Sequence, residues 1–310
     1  MAILQELLVK FMNFSRRQTP NVVRLGCVFA DTCFDITKAI GDDLLEFPRV
    51  VFTIEDVLQV RDGLRALAEQ LQGLTRSSSG IQSFLFNASD ITAHAPVTRP
   101  QKIIGIGLNY RDHVEEIKAQ TPKQPLLFGM YANAIIGPEE RIVIPPMSDQ
   151  IDYEAELAVV IGRRARYISA EGAVQHVAGY TIFNDVSARD LQFSDGQWVR
   201  AKSFDTFAPM GPYLVTPDTL GDGDGLDIEL RLNGKTMQKS NTGNLIFKVP
   251  ELVSYISKVM TLEVGDVIAT GTPAGVGFVR NPQVFMKPGD VVEIDIEGIG
   301  QLRNSVAAFD

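Results

Sequence analysis

The chain has 310 residues, of which 29 are Lys or Arg and 38 are Asp or Glu, so its formal net charge is −9. Hydrophobic residues make up 45% and charged residues 22%, a balance that is typical of folded globular proteins and excludes intrinsic disorder. A pI near 5.0 argues against a broad nucleic-acid surface, and no apolar run is long enough for a membrane span. We therefore predict a globular protein of one or two domains, without a nucleic-acid or membrane partner.

Residues 1–95 are predicted to form a small N-terminal α+β domain. Apolar residues between Val57 and Leu71 recur at alternating helical spacings, which indicates one amphipathic helix. Thr53 is a candidate N-cap for this helix, and Gly73 is a candidate end.

The extreme N-terminus and the cysteines bear on the cellular compartment. Residues 1–18 place apolar side chains at helical spacing and contain two late arginines, so a mitochondrial presequence is an alternative, although Glu6 weighs against it. Cys27 and Cys33 are too few for a disulfide framework and are expected to be reduced in a core. We predict a cytoplasmic protein.

Residues 96–310 are predicted to form a second, β-rich domain, which follows the proline-containing linker HAPVTRPQ. The predicted strands are KIIGIG, RIVIPP, AELAVVIG, GYTIFND, GPYLVTP, LDIELRL, GDVIATG and DVVEIDI. Asn233 and Gly234 favour a type I′ hairpin after LDIELRL, and only two helical stretches stand out, after Ser169 and after Pro250. This succession favours a β-sandwich, roll or barrel over alternating βαβ units.

Two glutamates, Glu154 and Glu156, come directly before the apolar strand LAVVIG. Because side chains alternate along a strand, both carboxylates project from one face, about 6–7 Å apart. Carboxylates at the end of a buried strand repel each other and lose hydration, and a divalent cation such as Mg²⁺, Mn²⁺ or Ca²⁺ relieves both effects. Asp185, which follows the strand GYTIFN, would supply a third ligand oxygen. The alternatives are an exposed Glu pair and a turn or N-cap aspartate.

Among the three histidines, His113 is the candidate for acid–base chemistry. Glu116 follows three positions later, so on a helical turn its carboxylate can contact the imidazole, orient it and raise its basicity. A surface ion pair is the alternative. His94, in the linker, and His176, in a run of Ala and Val, are predicted to be structural.

Two glycine motifs and one lysine complete the set. GIGLNY begins like a dinucleotide fingerprint but lacks its third glycine, and TGTPAGVG at 270–277 lacks the Lys-Ser/Thr pair of a P-loop. The N–H groups of the second loop and the hydroxyl of Thr272 are candidates for binding a carboxylate or oxyanion, with a plain β-turn as the alternative. Lys202 would pair with a substrate oxyanion or with metal-binding carboxylates, or else extend to solvent.

Taken in order, six segments make the chain resemble the fumarylacetoacetate hydrolase family, and in particular its branch of fumarylacetoacetate hydrolase domain-containing proteins. The segments are GIGLNYRDHVEE, DYEAELAVVIG, GYTIFNDVSARDLQ, AKSFDTFAPMGP, LNGKTMQ and GDVIATGTPAGVG. The resemblance covers about residues 96–306. It implies a mixed α/β, β-rich fold with a β-sandwich or β-roll catalytic domain and a smaller N-terminal domain, and it implies a homodimer.

The resemblance also implies roles for individual residues and a Mg²⁺ or Mn²⁺ cofactor. The site residues are, for metal binding, Glu154, Glu156 and Asp185; for catalysis, His113, Glu116 and Lys202; and for substrate binding, Arg189, Gln192, Gly271 and Thr272. One departure is Met130, which stands where many relatives carry a lysine.

The reaction that the resemblance implies is carried out on a small 2-oxo acid. We expect hydrolysis of the C3–C4 bond of a 2,4-dioxo acid, of the acylpyruvate or fumarylacetoacetate type, through a metal-bound enolate, with His113 activating water. Oxaloacetate decarboxylation or keto–enol tautomerisation on the same metal site is the alternative. A catalytically silent metal-binding dimer is an alternative of another class, and a dinucleotide-dependent oxidoreductase depends on GIGLNY alone.

Overall fold

The computed structural model describes residues 9–29, 32–74 and 80–309. Its helices are α1 (Ile36–Gly41), α2 (Ile54–Leu58), α3 (Gly63–Leu74), α4 (Arg111–Glu116), α5 (Arg189–Asp195), α6 (Trp198–Lys202), α7 (Pro217–Leu220) and α8 (Val249–Val259). Its strands are β1 (Lys10–Arg16), β2 (Thr19–Phe29), β3 (Thr32–Asp35), β4 (Leu85–Asn87), β5 (Ile91–His94), β6 (Ile103–Gly107), β7 (Leu126–Met130), β8 (Ile135–Ile136), β9 (Arg141–Ile144), β10 (Ile151–Asp152), β11 (Ala155–Ile161), β12 (Val177–Asn184), β13 (Ser187–Ala188), β14 (Ala208–Val215), β15 (Asp227–Leu232), β16 (Lys235–Asn241), β17 (Val267–Ala269), β18 (Val291–Ile296) and β19 (Gly300–Ala308).

Two open β-sheets form the frame of the molecule. The large sheet has the order β4-β3-β2-β1-β14-β12-β11-β17-β6-β7, with β5 paired to β1 and β8 to β14. The second sheet has the order β16-β15-β18-β19-β9, and its central strands pack against β11, β12 and β14. Apolar side chains of both sheets, among them Ile182, Leu230 and Ile294, are buried in one core. The β-rich α/β fold expected from the sequence is confirmed, and neither sheet closes into a barrel.

Strands β11 and β12 position the site. Every residue of both strands is buried. Their antiparallel register pairs Ala155 with Asn184 and Glu156 with Phe183, so the start of β11 meets the end of β12. The Asp185 N–H donates to the Glu154 carbonyl oxygen at 3.0 Å, so the backbone pairing extends one residue beyond the ends of the two strands. The two glutamates at the start of β11 and the aspartate that follows β12 therefore lie side by side.

The N-terminal part differs from the sequence pattern in two places. Lys10–Arg16 is a strand, not a continuation of a helix, because pairing with β2, β5 and β14 buries its residues on both faces. The predicted helix over 57–71 is divided into α2 and α3 at Asp62, whose φ of +57° cannot continue a helix. Thr53 does cap α2, through a capping box with Asp56, whereas α3 continues one residue past Gly73. Residues 1–8 and 75–79 lie outside the described part.

Each strand predicted in the second region is present, and β7, β8, β10, β13 and β19 are further strands that the sequence did not predict. Asn233 and Gly234 have φ values of +54° and +75°, as a type I′ hairpin between β15 and β16 requires. Helix α8 begins one residue before Pro250, which occupies its first turn. The helix predicted after Ser169 is wrong, because β12 already begins at Val177 and leaves room for a single 3₁₀ turn, Ala173–His176.

The two cysteines are free and buried, as expected. They lie on neighbouring strands but belong to separate apolar clusters, Cys27 in the main core and Cys33 in a smaller one.

The large sheet contains strands from both predicted domains, since β1 pairs with β14. The boundary between domains 1–95 and 96–310 remains a prediction. Within the described residues, no helix is long and apolar enough to cross a membrane.

Asn13 connects the N-terminal strands to the segment that follows β5. Its side-chain amide is buried, donates to the carbonyl oxygens of Ala95 and Pro96 at 3.0 and 3.1 Å, and accepts from the Ile54 N–H at 2.7 Å. We expect Asn13→Ala to lower the free energy of unfolding by about 2–4 kcal/mol, because buried backbone groups lose their partners. Urea unfolding followed by circular dichroism measures this as a lower midpoint with an unchanged slope. Thr92→Ala, at an exposed position of β5, serves as the control, and an Asn13→Ala midpoint equal to the wild-type value would contradict the assignment.

Candidate active site

Three carboxylates meet at the junction of β11 and β12. Glu154, Glu156 and Asp185 each offer an oxygen atom, and these oxygens all lie within 4.8 Å of one another. All three side chains are buried. No other group of this kind occurs among the residues that the structure describes. The sequence-based hypothesis of an exposed Glu pair is therefore excluded.

Two buried cations lie among these carboxylates. The Lys202 ammonium, at the end of α6, donates to Asp185 Oδ2 at 2.6 Å, to Glu154 Oε2 at 2.9 Å and to Ser187 Oγ at 2.8 Å. The Arg189 guanidinium, at the start of α5, donates to Glu154 Oε1 at 2.6 Å. Lys202 is 2% exposed, so it does not extend to solvent. Both oxygens of Glu154 thus accept from a cation.

The carboxylates differ in how readily they ionise. Burial raises the pKa of Glu156 well above its usual range, and the charges of Asp185 and Glu154 raise it further. Burial raises the pKa of Asp185 to about 7, although Lys202 opposes the shift. Burial acts on Glu154 in the same direction, but Lys202 and Arg189 outweigh it and lower the pKa to about 2. A divalent cation held by these carboxylates would oppose the upward pKa shifts of Glu156 and Asp185 and favour their ionised forms.

The cluster has the chemistry of a hard-cation site. Within the described part of the chain, Asp185 Oδ1 is buried and has no hydrogen-bond partner. A buried carboxylate oxygen without a partner is destabilising, and a ligated cation removes that cost. Three carboxylate oxygens suit Mg²⁺ or Mn²⁺ and leave coordination positions for water and substrate. Glu154, Glu156 and Asp185 would hold the ion.

The loop at 270–277 contacts the cluster directly. The Gly271 N–H donates to Glu156 Oε2 at 2.8 Å. The Thr272 hydroxyl donates to the Ala155 carbonyl oxygen at 3.0 Å and accepts from the Gln238 amide at 2.8 Å. Both groups thus hold the start of β11 in place, which is a role that the sequence-based hypothesis of anion binding did not include.

Helix α4 docks on the same loop and carries the histidine candidate. His113 Nδ1 lies 3.3 Å from Glu116 Oε2, and the imidazole is buried rather than on the surface. The Glu116 carboxylate also accepts from the Gly275 N–H at 3.0 and 3.1 Å. Gly275 has a φ of +106°, and a Cβ there would lie 2.1 Å from the Met237 carbonyl oxygen, so only glycine fits. The His–Glu pair and the carboxylate cluster are therefore joined through one loop.

The glycines of GIGLNY have a packing role. A Cβ on Gly105 would lie 2.1 Å from the Phe128 ring, and one on Gly107 would lie 2.5 Å from the Trp198 ring. These two rings contact each other edge to face, and the Lys202 ammonium lies 5.1 Å from the centre of the Phe128 ring. Packing accounts for the glycines that suggested a dinucleotide fingerprint.

Three further residues discussed in the sequence analysis are Gln192, His94 and His176. Gln192 accepts from Arg189 through its side-chain oxygen at 2.8 Å and is buried. His94 contacts the Ser15 hydroxyl at 2.9 Å, and His176 lies against backbone carbonyl oxygens, so both are structural as expected.

Sequence reasoning missed Asp152, Ser187 and Gln238, which all contact the site residues. For Asp152 a signal was present, because it continues the period of two that connects Glu154 and Glu156. Ser187 and Gln238 carry no comparable signal, since only the tertiary fold brings them to the cluster.

The raised pKa of Glu156 gives a stability prediction with a defined sign. A carboxyl group whose pKa is higher in the folded than in the unfolded state makes the fold less stable as pH rises through that folded pKa. We therefore expect Glu156→Gln to raise the melting temperature of the metal-free protein in EDTA, by an amount that grows with pH. The same variant should lose the stabilisation that Mg²⁺ gives the wild type. Differential scanning fluorimetry measures both effects, with Glu115→Gln on the exposed face of α4 as the control, and a Mg²⁺ shift of wild-type size would disprove the ligand assignment.

Known proteins are similar to this chain in sequence and in fold. The profile of the family described as Fumarylacetoacetate (FAA) hydrolase C-terminal matches residues 102–307. The protein named Oxaloacetate tautomerase FAHD2A, mitochondrial, from Bos taurus is 48% identical over 244 residues, which are 78% of this chain and 74% of the bovine protein. Its Homo sapiens counterpart of the same name is 46% identical over the same shares of each chain.

Solved structures give the same result. Fumarylacetoacetate hydrolase from psychrophilic Exiguobacterium antarcticum has a TM-score of 0.79 at 34% identity, covering 97% of this chain and 100% of that one. The 5-carboxymethyl-2-hydroxymuconate delta-isomerase from Mycobacterium smegmatis has a TM-score of 0.73 at 33% identity, covering 97% and 99%. The chain belongs to the fumarylacetoacetate hydrolase family.

Proposed function

We propose that this chain is a divalent-cation-dependent keto–enol tautomerase of a small 2-oxo diacid, with oxaloacetate as the first candidate substrate. The observation that carries the proposal is the buried cluster of Glu154, Glu156 and Asp185, with the Lys202 ammonium among its carboxylates. Such a site stabilises the enolate that tautomerisation, decarboxylation and C–C hydrolysis have in common. The names of the bovine and human relatives favour tautomerisation, which the sequence alone ranked behind hydrolysis.

The chain's own residues divide the work of proton transfer. A bound Mg²⁺ or Mn²⁺ would supply Lewis-acid stabilisation of the negative charge on the 2-oxo acid. In the enol-to-keto direction, C3 gains a proton and the C2 hydroxyl loses one, so no carbon–carbon bond breaks. Glu116 accepts from Nδ1 of His113, which leaves Nε2 free to take the proton that the C2 hydroxyl loses and to return a proton to C3. Lys202 stabilises the charge that develops on the C2 oxygen, and Arg189 and Gln192 are the candidates for orienting the substrate carboxylates.

The decisive assay separates the three reactions on two substrates. We expect the purified chain with Mg²⁺ to accelerate loss of the enol absorbance of freshly dissolved oxaloacetate, with EDTA removing the effect. Proton NMR of the same mixture should show no enzyme-dependent pyruvate. Pyruvate from oxaloacetate would instead indicate a decarboxylase, and acetate plus pyruvate from acetylpyruvate would indicate a hydrolase. No cation-dependent change of either substrate would contradict the proposal and favour a catalytically silent relative.

Hydrolysis of the C3–C4 bond of an acylpyruvate is the second candidate. One observation favours it: the buried His113–Glu116 pair is suited to activating water, a step that tautomerisation does not need. A structural neighbour from Sphingobium is named maleylpyruvate hydrolase and is 29% identical with a TM-score of 0.75.

The His113–Glu116 pair gives a prediction that is independent of cation binding. We expect His113→Asn to lower kcat/KM for the enol by about 10²–10⁴-fold, because a positioned general acid–base contributes about that much. The Mg²⁺-induced thermal shift should remain, since His113 lies outside the carboxylate cluster. Steady-state kinetics and scanning fluorimetry measure the two effects, with Glu115→Gln as the exposed control on the same helix. Wild-type activity in His113→Asn would exclude the imidazole from the reaction.

The assembly and compartment also remain proposals. We propose a homodimer, for which light scattering after gel filtration is the test. The curated relatives carry the word mitochondrial in their names, whereas the sequence favours the cytoplasm. Fractionation of cells that express the untagged chain would distinguish the two compartments.

A further inference from the structure

Asp152 is a fully buried carboxylate outside the three-residue cluster. Its Oδ1 accepts from the Tyr153 N–H at 2.9 Å and the Gly277 N–H at 2.7 Å. Its Oδ2 accepts from the Phe278 N–H at 3.1 Å and from Nε of Arg189 at 2.8 Å. This one side chain therefore fixes the end of the 270–277 loop and the first residue of α5 relative to each other.

Each nitrogen of the Arg189 guanidinium donates to a buried side chain. Besides Asp152, it donates to Gln192 at 2.8 Å and to Glu154 at 2.6 Å, and its guanidinium carbon lies 4.5 Å from the centre of the Phe278 ring. The loop that Asp152 holds thus also places the aromatic ring against the cation. Asp152 therefore pairs with Arg189 and also holds the segment whose aromatic ring lies against that guanidinium.

The neutralisation of Arg189 by Asp152 matters because Glu154 contacts two positively charged side chains. Its Oε1 accepts from Arg189 and its Oε2 accepts from Lys202, so a divalent cation must bind a carboxylate that already contacts two cations. With every carboxyl group ionised, the group as a whole contains four carboxylates and two cations, a net of two negative charges, which matches one divalent ion. Without the Asp152 charge, Arg189 would keep Glu154 as its one charged partner among the residues that the structure describes, and it would compete with the ion for that carboxylate.

We infer that Asp152 is a positioning residue which sets the divalent-cation affinity of the site by holding and neutralising Arg189. It acts on Glu154 from outside the ligand set, as groups that orient metal ligands do. The inference depends on the cation site of the proposed function but not on its substrate, so it is tested by cation binding in the absence of turnover.

The test is Mn²⁺ binding to the whole chain, measured by electron paramagnetic resonance of the free ion. We expect Asp152→Asn, which keeps the size of the side chain and removes its charge, to weaken Mn²⁺ binding by about 10–100-fold. Asp190→Asn is the matched control. It removes a carboxylate of the same charge at the position that follows Arg189 in the chain, and this carboxylate accepts from the Ser148 hydroxyl and not from Arg189. Equal Mn²⁺ affinity of Asp152→Asn and wild type would overturn the inference.

A double-mutant cycle distinguishes this role from a merely structural one. Arg189→Gln removes the competing cation and should tighten Mn²⁺ binding, and Asp152→Asn should have no further effect in that background. An undiminished loss in the double variant would mean that Asp152 acts through the fold alone and would overturn the inference. If Asp152→Asn does not fold, the Arg189→Gln variant tests the inference by itself. Weaker Mn²⁺ binding in that variant would contradict the inference that Arg189 competes with the cation for Glu154. A wild-type chain that binds no Mn²⁺ would overturn both this inference and the cation site, whereas one that binds Mn²⁺ but does not turn over oxaloacetate would overturn the proposed reaction only.

Discussion

The candidate site depends on one physical constraint, which is that three carboxylates lie close together in the interior of the protein. Glu154, Glu156 and Asp185 lie at the end of two fully buried strands, where hydration cannot screen their mutual repulsion. Helices α5 and α6 place Arg189 and Lys202 in the cluster, where both side chains are buried and donate to its carboxylates. The negative charge that these cations leave uncompensated raises the pKa values of Glu156 and Asp185, and one buried oxygen of Asp185 has no hydrogen-bond partner among the described residues. A divalent cation bound here would remove both effects.

The loop at 270–277 joins this electrostatic centre to the acid–base pair. Gly271 donates to Glu156 at one end of the loop, and Gly275 donates to Glu116 further along. A shift of the loop would therefore disturb a metal ligand and the orientation of the His113 imidazole together. Asp152 holds the far end of the same segment, which extends the connection to Arg189. The proposed cation site and the proposed acid–base pair are thus joined by one short, glycine-containing segment.

The same arrangement explains why a family with this fold includes proteins named hydrolase, isomerase and tautomerase. A cation site with a nearby ammonium group stabilises an enolate, whatever happens next at C3 or C4. Breaking the C3–C4 bond requires an activated water or a leaving carboxylate, whereas tautomerisation requires only a proton at C3.

The sequence by itself determined the β-rich fold, most strands of the second region and the three clustered carboxylates, because alternation and strand order are local properties of the chain. It did not predict the strand at Lys10–Arg16, the break at Asp62 or the short turn before Val177, where sheet pairing overrides local helical spacing. Tertiary structure alone decided that Lys202 and Arg189 lie on Glu154, that the glycines of GIGLNY make room for Phe128 and Trp198, and that Asp152 holds Arg189. These contacts join residues far apart in the chain, and their strength comes from burial, which no local pattern encodes.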